Sequence, residues 1–244
     1  MYSSFRCVRS VSLIVMTFVL SWSGCVLALD VNISPDLESV ETAHEGVAIN
    51  IQRNQDQNNT LSGGFSKTSR KCPPFCIQPI QVAPGVSTVG ELELLEFIQT
   101  ELNNGTGVLI DARTPSWHNK GTIPGSINIP FTTFTEDSDP IVLQVALGKL
   151  GVHKKDYHNL AVKAWDNILA LSGNRDKIVK WDFSEAKDLL LWCNGMWCGQ
   201  SPRAIKGLIK LGYPPEKIRY YRGGMQSWLM LGFNVVVPAG AASQ

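Results

Sequence analysis

The stretch DLLLWCNGMWCGQSPRAIKGLIKLGY (residues 188–213) places two cysteines in a glycine-containing loop between an apolar run and an amphipathic segment. Its first five residues are mostly apolar, which predicts a buried strand. Ser201 is predicted as the N-cap of a following helix, Pro202 fits the first helical position, and Gly212 is expected to end the helix. A strand, a loop and a helix in this order are the repeating unit of α/β folds.

Other segments continue the alternation of strands and helices. The run VLIDAR (residues 108–113) and residues 217–221 are short and largely apolar, and each is predicted as a strand. Helices are predicted with Ser87 as an N-cap, over most of residues 140–172, and from residue 225 onward. This alternation predicts an α/β fold with a central, mostly parallel sheet flanked by helices.

The composition of the chain is that of an ordinary folded protein. Its 244 residues are 44% hydrophobic and 18% charged, and the formal net charge is +1. The length suits one domain with an extension, and the apolar content is sufficient for a sizeable core. Because the net charge is close to zero, no global field favours a nucleic acid, and we expect no nucleic-acid partner.

Residues 1–28 have the layout of a secretory signal peptide. Two arginines precede an apolar run (residues 11–20), and small residues lead to a cut after Ala28. The run is too short for a comfortable transmembrane helix. We therefore expect an exported protein, periplasmic or secreted, with no membrane attachment after cleavage. A lipoprotein signal ending at Cys25 is the second interpretation, and a retained anchor is the third.

Residues 29–85 form a polar N-terminal extension with two local signals. Alternating apolar residues on either side of residues 44–46 predict a small β-hairpin. Further on, CPPFC places Cys72 and Cys76 around two prolines. The cleaved chain would keep these two cysteines together with Cys193 and Cys198. An even set of four cysteines indicates an oxidising compartment but allows three pairings. The CPPFC pair is predicted as a disulfide that pins the extension; a redox partner for the loop or a four-thiol zinc site are the alternatives.

Cys193 follows the predicted strand, where α/β folds place functional groups, and it stands near a helix N-terminus. The partial positive charge of that terminus favours a thiolate and lowers the pKa of the thiol. Asn194, Gly195 and Gly199 let the backbone curl so that N–H groups point inward, and such a cradle stabilises an anion. No His, Asp or Glu lies within the loop, so the loop itself must activate the cysteine. A buried cysteine with only a packing role is the plain alternative.

Three separated motifs resemble the rhodanese family of sulfurtransferases. The first is DARTPSWHNKGTIPGSINIP (residues 111–130), the second is the opening stretch, and the third is YYRGGMQSWLMLGFNVV (residues 220–236). They occur in the order of the family and lie within residues 86–237. The resemblance implies a three-layer rhodanese-like domain, and we identify the chain as similar to an exported, bacterial-type member with two cysteines in its active-site loop.

The resemblance implies sulfur transfer. The active-site cysteine of the family takes a sulfane sulfur from a donor such as thiosulfate, holds it as a persulfide, and passes it to a thiol or cyanide. By position that cysteine is Cys193, while Asp111 and Arg113 match a pair that braces the region. The expected partners are a small sulfur donor and a thiol acceptor, including a protein thiol or redox partner; neither a cofactor nor a metal is implied. The active-site loop is predicted to contain Asn194, Gly195, Met196, Trp197, Gly199, Gln200, Ser201 and Arg203.

The sequence departs from the family pattern in ways that concern the second thiol. Thr122 stands where the family has a histidine, and Cys198 stands where an arginine is common. A Cys-x4-Arg count from Cys198 to Arg203 offers Cys198 as the active-site residue instead, but Cys193 fits the spacing to the end of the next helix better. Cys198 could attack a persulfide on Cys193 or receive its sulfur. A static disulfide between the two is the other interpretation.

These observations predict an exported sulfurtransferase with Cys193 as sulfur carrier and Cys198 as resolving or acceptor thiol. The rhodanese-like domain is expected over residues 86–237, followed by a flexible tail, residues 238–244. The alternative is a catalytically silent rhodanese-like module that binds a partner or senses redox state. A phosphatase is a weaker interpretation, because the loop from Cys193 lacks an arginine at the expected place.

Overall fold

The computed structural model describes residues 30–155, 160–171 and 180–241, so the predicted signal peptide and residues 242–244 lie outside it. Within the described residues the strands are β1 (Ser39–His44), β2 (Val47–Gln52), β3 (Ser87–Val89), β4 (Gly107–Asp111), β5 (Ile127–Asn128), β6 (His153–Lys154), β7 (Trp181–Asp182), β8 (Asp188–Trp192) and β9 (Ile218–Tyr221). The helices are α1 (Glu91–Phe97), α2 (Pro115–His118), α3 (Pro140–Lys149), α4 (Leu160–Leu171), α5 (Gln200–Leu211) and α6 (Gly224–Met230).

Five parallel strands form the central sheet in the order β3-β9-β8-β4-β5. Strand β8 lies in the middle, and Leu189, Leu190 and Leu191 are fully buried in it. A parallel strand covered on both faces is expected to be apolar along its whole length, as β8 and β4 are. The predicted α/β fold with a mostly parallel sheet flanked by helices is confirmed.

Two hydrophobic clusters cover the two faces of the sheet and give the fold its three layers. On one face, buried residues of α3 and α5, such as Leu147 and Ile205, pack against Leu191. On the other face, residues of α1 and α6, such as Leu95 and Trp228, pack beneath Leu190. The alternation of side chains along β8 therefore divides its leucines between the two cores.

The N-terminal extension packs onto the domain. Strands β1 and β2 form an antiparallel hairpin in which Val40 pairs with Ile51, which confirms the predicted hairpin. Its turn has positive φ angles at Glu45 and Gly46 (50° and 81°), as tight two-residue hairpin turns require. Val40 and Ile51 are buried in the same cluster as Trp192. The hairpin is thus part of the core on the α1 and α6 face.

The prediction that Ser87 caps a helix was wrong. Ser87 begins β3, which pairs with β9 through Ser87 and Arg219 and lies at the edge of the sheet. Helix α1 begins four residues later at Glu91, and the Gly90 N–H donates a hydrogen bond to Oε2 of Glu93 at 3.0 Å. A serine before an apolar segment is a common cap signal, but here pairing with a distant strand fixes an extended backbone.

The helix after the cysteine loop differs from its prediction at one end. Helix α5 begins at Gln200 with Gly199 as its N-cap, so the prediction of Ser201 as N-cap was wrong. The hydroxyl of Ser201 contacts the sulfur of Cys193 instead of a backbone N–H of the helix. At the other end Gly212 has a φ of 103° and caps the helix in the left-handed conformation, as predicted.

The segment predicted as mainly helical, residues 140–172, contains α3 and α4. Asp139 caps α3, since its side chain accepts hydrogen bonds from the N–H groups of Ile141 and Val142. Strand β6 lies between the two helices and pairs with β7 in a separate antiparallel ribbon. Residue 172 and the side chain of Val162, both part of that prediction, are outside the described parts.

No helix formed by residues 30–155, 160–171 or 180–241 is long and apolar enough to cross a membrane.

Candidate active site

Cys193 lies at the carboxyl end of β8, the central strand of the sheet. The loop that follows turns back through a hydrogen bond from the Cys198 N–H to the Gly195 carbonyl (2.9 Å) and enters α5. Functional groups of open parallel sheets lie at this edge, where strand ends meet helix N-termini. Cys193 is only 2% exposed, and Cys198 is 5% exposed. Both are free thiols.

The start of α6 holds the first turn of the loop. The Met225 N–H donates to the carbonyl of Cys193 at 2.9 Å, and the Gln226 N–H donates to the carbonyl of Asn194 at 3.0 Å. These bonds orient the two peptide units that follow β8. They also leave no room for a side chain between the loop and α6, which places Gly224 at the point of closest approach.

The surroundings of Cys193 favour its ionised form. Burial alone would raise the pKa of this thiol, but hydrogen bonds outweigh burial and lower the pKa to about 7. The donors are the thiol of Cys198, the hydroxyl of Ser201 at 3.0 Å, and the backbone N–H groups of Ser201 and Gly195. Inward-pointing N–H groups and a hydroxyl stabilise negative charge on sulfur in the way that an anion cradle does.

Cys198 has the opposite character. Its hydrogen bond to Cys193, reinforced by its burial, raises its pKa far above the ordinary range of a thiol. With both thiols protonated, Sγ of Cys193 donates to the carbonyl oxygen of Cys198 at 3.3 Å, and Sγ of Cys198 donates to Oε1 of Gln200 at 3.6 Å. When Cys193 is ionised, the neighbouring Cys198 thiol stabilises its thiolate, because one shared proton stabilises the thiolate of only one partner. The surroundings of the two thiols that the sequence left as alternatives therefore favour ionisation of Cys193 over ionisation of Cys198.

A buried ion pair braces the loop from β4. Arg113 donates from Nε to Oδ1 of Asp111 at 2.8 Å and from Nη2 to Oδ2 at 2.6 Å, a two-point pairing that fixes both side chains. Nη1 of the same guanidinium lies 3.4 Å from Oδ1 of Asn194, beside Cys193. Burial alone would raise the pKa of Asp111, but the hydrogen bonds from Arg113 and His118 lower it.

Two further groups complete the surroundings of the Asp111 carboxylate. The Thr122 hydroxyl donates to Oδ2 at 3.0 Å, and Nδ1 of His118 lies 3.0 Å from the same oxygen. Thr122 occupies the position where the resemblance led us to expect a histidine, and His118 contacts the carboxylate from a neighbouring turn. Both residues therefore belong to the brace beneath the loop.

A small pocket of about 240 Å³ lies beside the loop. The residues that line it are Pro74, Phe75, Trp117, Phe131, Asn194, Trp197, Cys198, Gly199, Gln200 and Arg203. The structure thus brings most predicted loop residues to one place. Arg203 is exposed, with its guanidinium 5.7 Å from the centroid of the Phe131 ring, and Met196 is 39% exposed at the tip of the loop.

Sequence reasoning missed the residues that contact the loop from a distance. Phe75 packs edge-on against Trp197, with 5.5 Å between ring centroids, and the Gln78 N–H donates to the carbonyl of Met196 at 2.8 Å. Gln226 accepts a hydrogen bond from Nε1 of Trp197. For Phe75 and Gln78 the only signal in the sequence was the nearby pair Cys72 and Cys76, which the structure joins in a disulfide.

Among the residues described, no three or more His, Cys, Asp or Glu side chains come together in a way that could hold a metal ion.

The chain belongs to the rhodanese-like domain family, whose pattern it matches over residues 95–231. Among solved structures it is similar to a rhodanese-related protein from Thermoplasma volcanium, with 22% identity over 62% of this chain and 99% of the other and a TM-score of 0.35. It is also similar to the human single-domain sulfurtransferase TSTD1 (20% identity, 59% and 96% covered, TM-score 0.34). A third similar structure is the As-Sb reductase from Leishmania major (16% identity, 59% and 78% covered, TM-score 0.33). A comparison with curated protein sequences found no match.

The close approach of α6 to the loop gives a prediction for Gly224→Ala. A Cβ at this position would lie 2.2 Å from the carbonyl oxygen of Cys193 and 2.7 Å from the nitrogen of Gly195, and the φ of +55° also disfavours a side chain. We expect the free energy of unfolding in urea to fall by about 1–3 kcal/mol. Gly148→Ala is the control, because nothing lies within 4 Å of a Cβ there. Equal stability of the two variants would contradict this packing.

The hydrogen bond from Cys198 gives a prediction for the pH dependence of Cys193. In the wild type the rate of alkylation of Cys193 by iodoacetamide should rise with pH through a midpoint near its pKa of about 7. Cys198→Ala removes the strongest of the hydrogen bonds that lower this pKa, so the midpoint should move to higher pH. Cys198→Ser keeps a hydroxyl donor and should stay closer to the wild type. Peptide mass analysis follows the alkylation of Cys193 separately from that of Cys198. An unchanged midpoint in the alanine variant would show that the contact with Cys198 does not set the pKa of Cys193.

Proposed function

We propose that this protein is an exported sulfurtransferase that carries a sulfane sulfur as a persulfide on Cys193. The observation that carries the proposal is the environment of the Cys193 thiol, which is buried at the end of the central strand with its pKa lowered to about 7. The thiolate is the reactive form of cysteine, and the lowered pKa makes the thiolate more available at neutral pH than in an ordinary cysteine. Membership of the rhodanese-like family supports the same chemistry.

In the first half of the proposed reaction the thiolate of Cys193 attacks the outer sulfur of thiosulfate. The sulfur–sulfur bond of thiosulfate breaks, sulfite leaves with the electron pair, and a new sulfur–sulfur bond makes Cys193 a persulfide. The persulfide anion needs the stabilisation that the thiolate had. The N–H groups of Gly195 and Ser201 and the hydroxyl of Ser201, which stabilise the thiolate, would supply it.

In the second half an acceptor nucleophile, either cyanide or a thiolate, attacks the outer sulfur of the persulfide. The bond to Cys193 breaks, the sulfur leaves as thiocyanate or as a new persulfide, and Cys193 departs as a thiolate. In the proposed step the neighbouring Cys198 thiol would stabilise this departing thiolate, because the same contact lowers the pKa of Cys193. A nearby donor that favours the thiolate makes it a better leaving group.

A resolving role for Cys198 stays a prediction. In that role the ionised Cys198 would attack the inner sulfur of the persulfide, form a disulfide with Cys193 and release hydrosulfide, which balances without an external oxidant. The raised pKa of Cys198 makes its ionised form scarce at neutral pH. We therefore propose that Cys198 acts first as hydrogen-bond donor and resolves the persulfide only when no external acceptor is bound.

Export is part of the proposal. The signal-like pattern of residues 1–28 supports it, and so does the Cys72–Cys76 disulfide, since disulfides persist mainly in oxidising compartments. The proposed partners are a small sulfur donor and a thiol acceptor.

Thiocyanate formation from thiosulfate and cyanide tests the proposal. The mature protein, treated with a thiol reductant and desalted, should produce thiocyanate through many turnovers and show two-step, ping-pong kinetics. A protein that keeps its fold but gives no thiocyanate above the protein-free reaction would contradict the proposal. That result would favour the alternative of a catalytically silent module.

A further inference from the structure

An arm from the N-terminal extension, residues 64–78, crosses the face of the domain that carries the cysteine loop. The arm lies outside the region that matches the rhodanese-like family, which begins at residue 95. It contains the Cys72–Cys76 disulfide, whose Cα atoms are 4.7 Å apart. The arm is therefore an addition to the family domain, and its residues contact the cysteine loop.

The arm holds the tip of the cysteine loop at three points. The guanidinium of Arg70 lies 3.7 Å from the centroid of the Trp197 ring, and the ring of Phe75 meets the same indole edge-on at 5.5 Å and 80°. The Gln78 N–H donates to the carbonyl of Met196 at 2.8 Å. Trp197 is thus enclosed by a cation on one side and an aromatic ring on another, contacts that together fix its orientation.

The domain holds the arm in turn. Arg222 donates from Nε and Nη2 to the carbonyl of Gln78 at 3.0 and 2.8 Å. At the other end of the arm, Nε2 of Gln226 donates to the carbonyl of Phe65 at 2.9 Å, and the Phe65 ring lies 6.1 Å from that of Trp117. Because Gln226 also accepts from Trp197, one side chain joins the arm, the loop and α6. The disulfide closes the turn between these two anchored ends.

The pocket beside the loop exists in its present form because of the arm. Pro74 and Phe75 of the arm line the pocket together with Trp197 and Cys198 of the loop. Its volume of about 240 Å³ is below the roughly 300–1,000 Å³ of most ligand sites. Cys198 lines this pocket, whereas Cys193 does not line it and is only 2% exposed. A reactant that enters this pocket, which Phe75 lines together with Cys198, must therefore be small.

We propose that the arm restricts the site to low-molecular-weight sulfur donors and acceptor thiols and excludes the cysteines of folded proteins, as long as the Cys72–Cys76 disulfide is intact. The substrate class rests on the proposed sulfur transfer, while the size restriction does not. Phe75 and the Cys72–Cys76 disulfide are the features that determine this specificity. Reduction by a dithiol, which supplies two electrons and two protons and becomes a disulfide itself, would free the turn that carries Phe75.

Two maleimides of different size test the size restriction without sulfur transfer. N-ethylmaleimide and a maleimide carried on a long polyethylene glycol chain have the same reactive group. In Cys72→Ser/Cys76→Ser we expect labelling of the loop thiols by the large reagent to become about tenfold faster than in the wild type, with little change for the small one. Phe75→Ala, which keeps the disulfide, should likewise raise the ratio of the labelling rate with the large maleimide to the labelling rate with the small one. Peptide mass analysis assigns the label to Cys193 or Cys198.

Ile77→Ala is the matched control, because Ile77 belongs to the same arm but is 79% exposed. Its ratio of labelling rates should equal that of the wild type. If neither Phe75→Ala nor the double serine variant changes the ratio, the proposal is overturned, whether or not thiocyanate is formed. If the ratio changes and no thiocyanate is formed, the size restriction by the arm stands and the proposed sulfur transfer is contradicted. Should the double variant unfold, Phe75→Ala alone decides.

Discussion

Cys193→Ser is expected to abolish thiosulfate-to-cyanide transfer, a loss of roughly a thousandfold or more that reaches the background of the assay. A serine hydroxyl is not ionised at neutral pH and cannot hold a sulfane sulfur as a persulfide. The replacement is nearly isosteric and stays within hydrogen-bond reach of Ser201, so the fold should persist. Initial rates of thiocyanate formation, with circular dichroism as the check on folding, measure this effect.

Cys198→Ser is the matched control for that experiment. It changes the other thiol of the same loop by the same atom and keeps a donor beside Cys193, so it should retain part of the activity. Equal and total loss in both variants would contradict the assignment of different roles to the two cysteines. Full activity in Cys193→Ser would move the carrier role to Cys198.

Asp111→Asn is expected to lower the free energy of unfolding by about 3 kcal/mol, because breaking a buried ion pair leaves the other charge buried and uncompensated. Arg113 is 1% exposed and Asp111 is fully buried, so water cannot replace the lost contact. Urea denaturation measures the effect, and Asp137→Asn, at an exposed carboxylate, is the control. A change as small as that of the control would contradict the bracing role.

The same pair gives a pH dependence with a definite sign. The pKa of Asp111 is lowered in the folded protein, so its contribution to stability is present above the pKa of the unfolded chain and is lost as the pH falls through the folded-state value. The difference in stability between the wild type and Asp111→Asn should therefore shrink in acid. A difference that grows as the pH falls would contradict the lowered pKa.

The elements that sequence predicted well are those with a strong local pattern. The apolar run of β8, the cysteine that follows it and Gly212 at the end of α5 lie where they were expected. The hairpin of β1 and β2 also formed as predicted, because its apolar alternation and its Glu45-Gly46 turn are both local signals. These features depend on neighbours within a few residues, which is the range that periodicity and cap rules cover.

The errors concern residues whose state is fixed by distant partners. Ser87 was interpreted as a helix cap, but pairing with Arg219 makes it part of a strand. Ser201 was interpreted as a cap as well, but its hydroxyl turns to Cys193 across the loop. A serine can accept from a backbone N–H as a helix cap, lie in a strand, or donate its hydroxyl proton to a thiolate. The residue type alone therefore does not predict which of these roles it takes.

The arm could not have been found from the sequence. Residues 64–78 are polar and lack periodicity, and the contacts that give the arm its meaning join Gln78 to Met196 and Phe75 to Trp197 across the whole domain. The CPPFC motif indicated a disulfide, but nothing in the motif indicated which surface of the domain this disulfide lies against. Only the fold, which brings the N-terminal extension beside the loop after β8, places the arm next to Cys198.

Intact-mass measurement of the reduced protein after thiosulfate treatment shows whether Cys193 carries a sulfane sulfur. We expect an adduct of about 32 Da, the mass of one sulfur, in the wild type and in Cys198→Ser, and its loss when cyanide is added. Cys193→Ser should show no adduct. An adduct that peptide analysis places on Cys198, or the absence of any adduct on the folded, reduced wild type, would contradict the claim that Cys193 carries the sulfur.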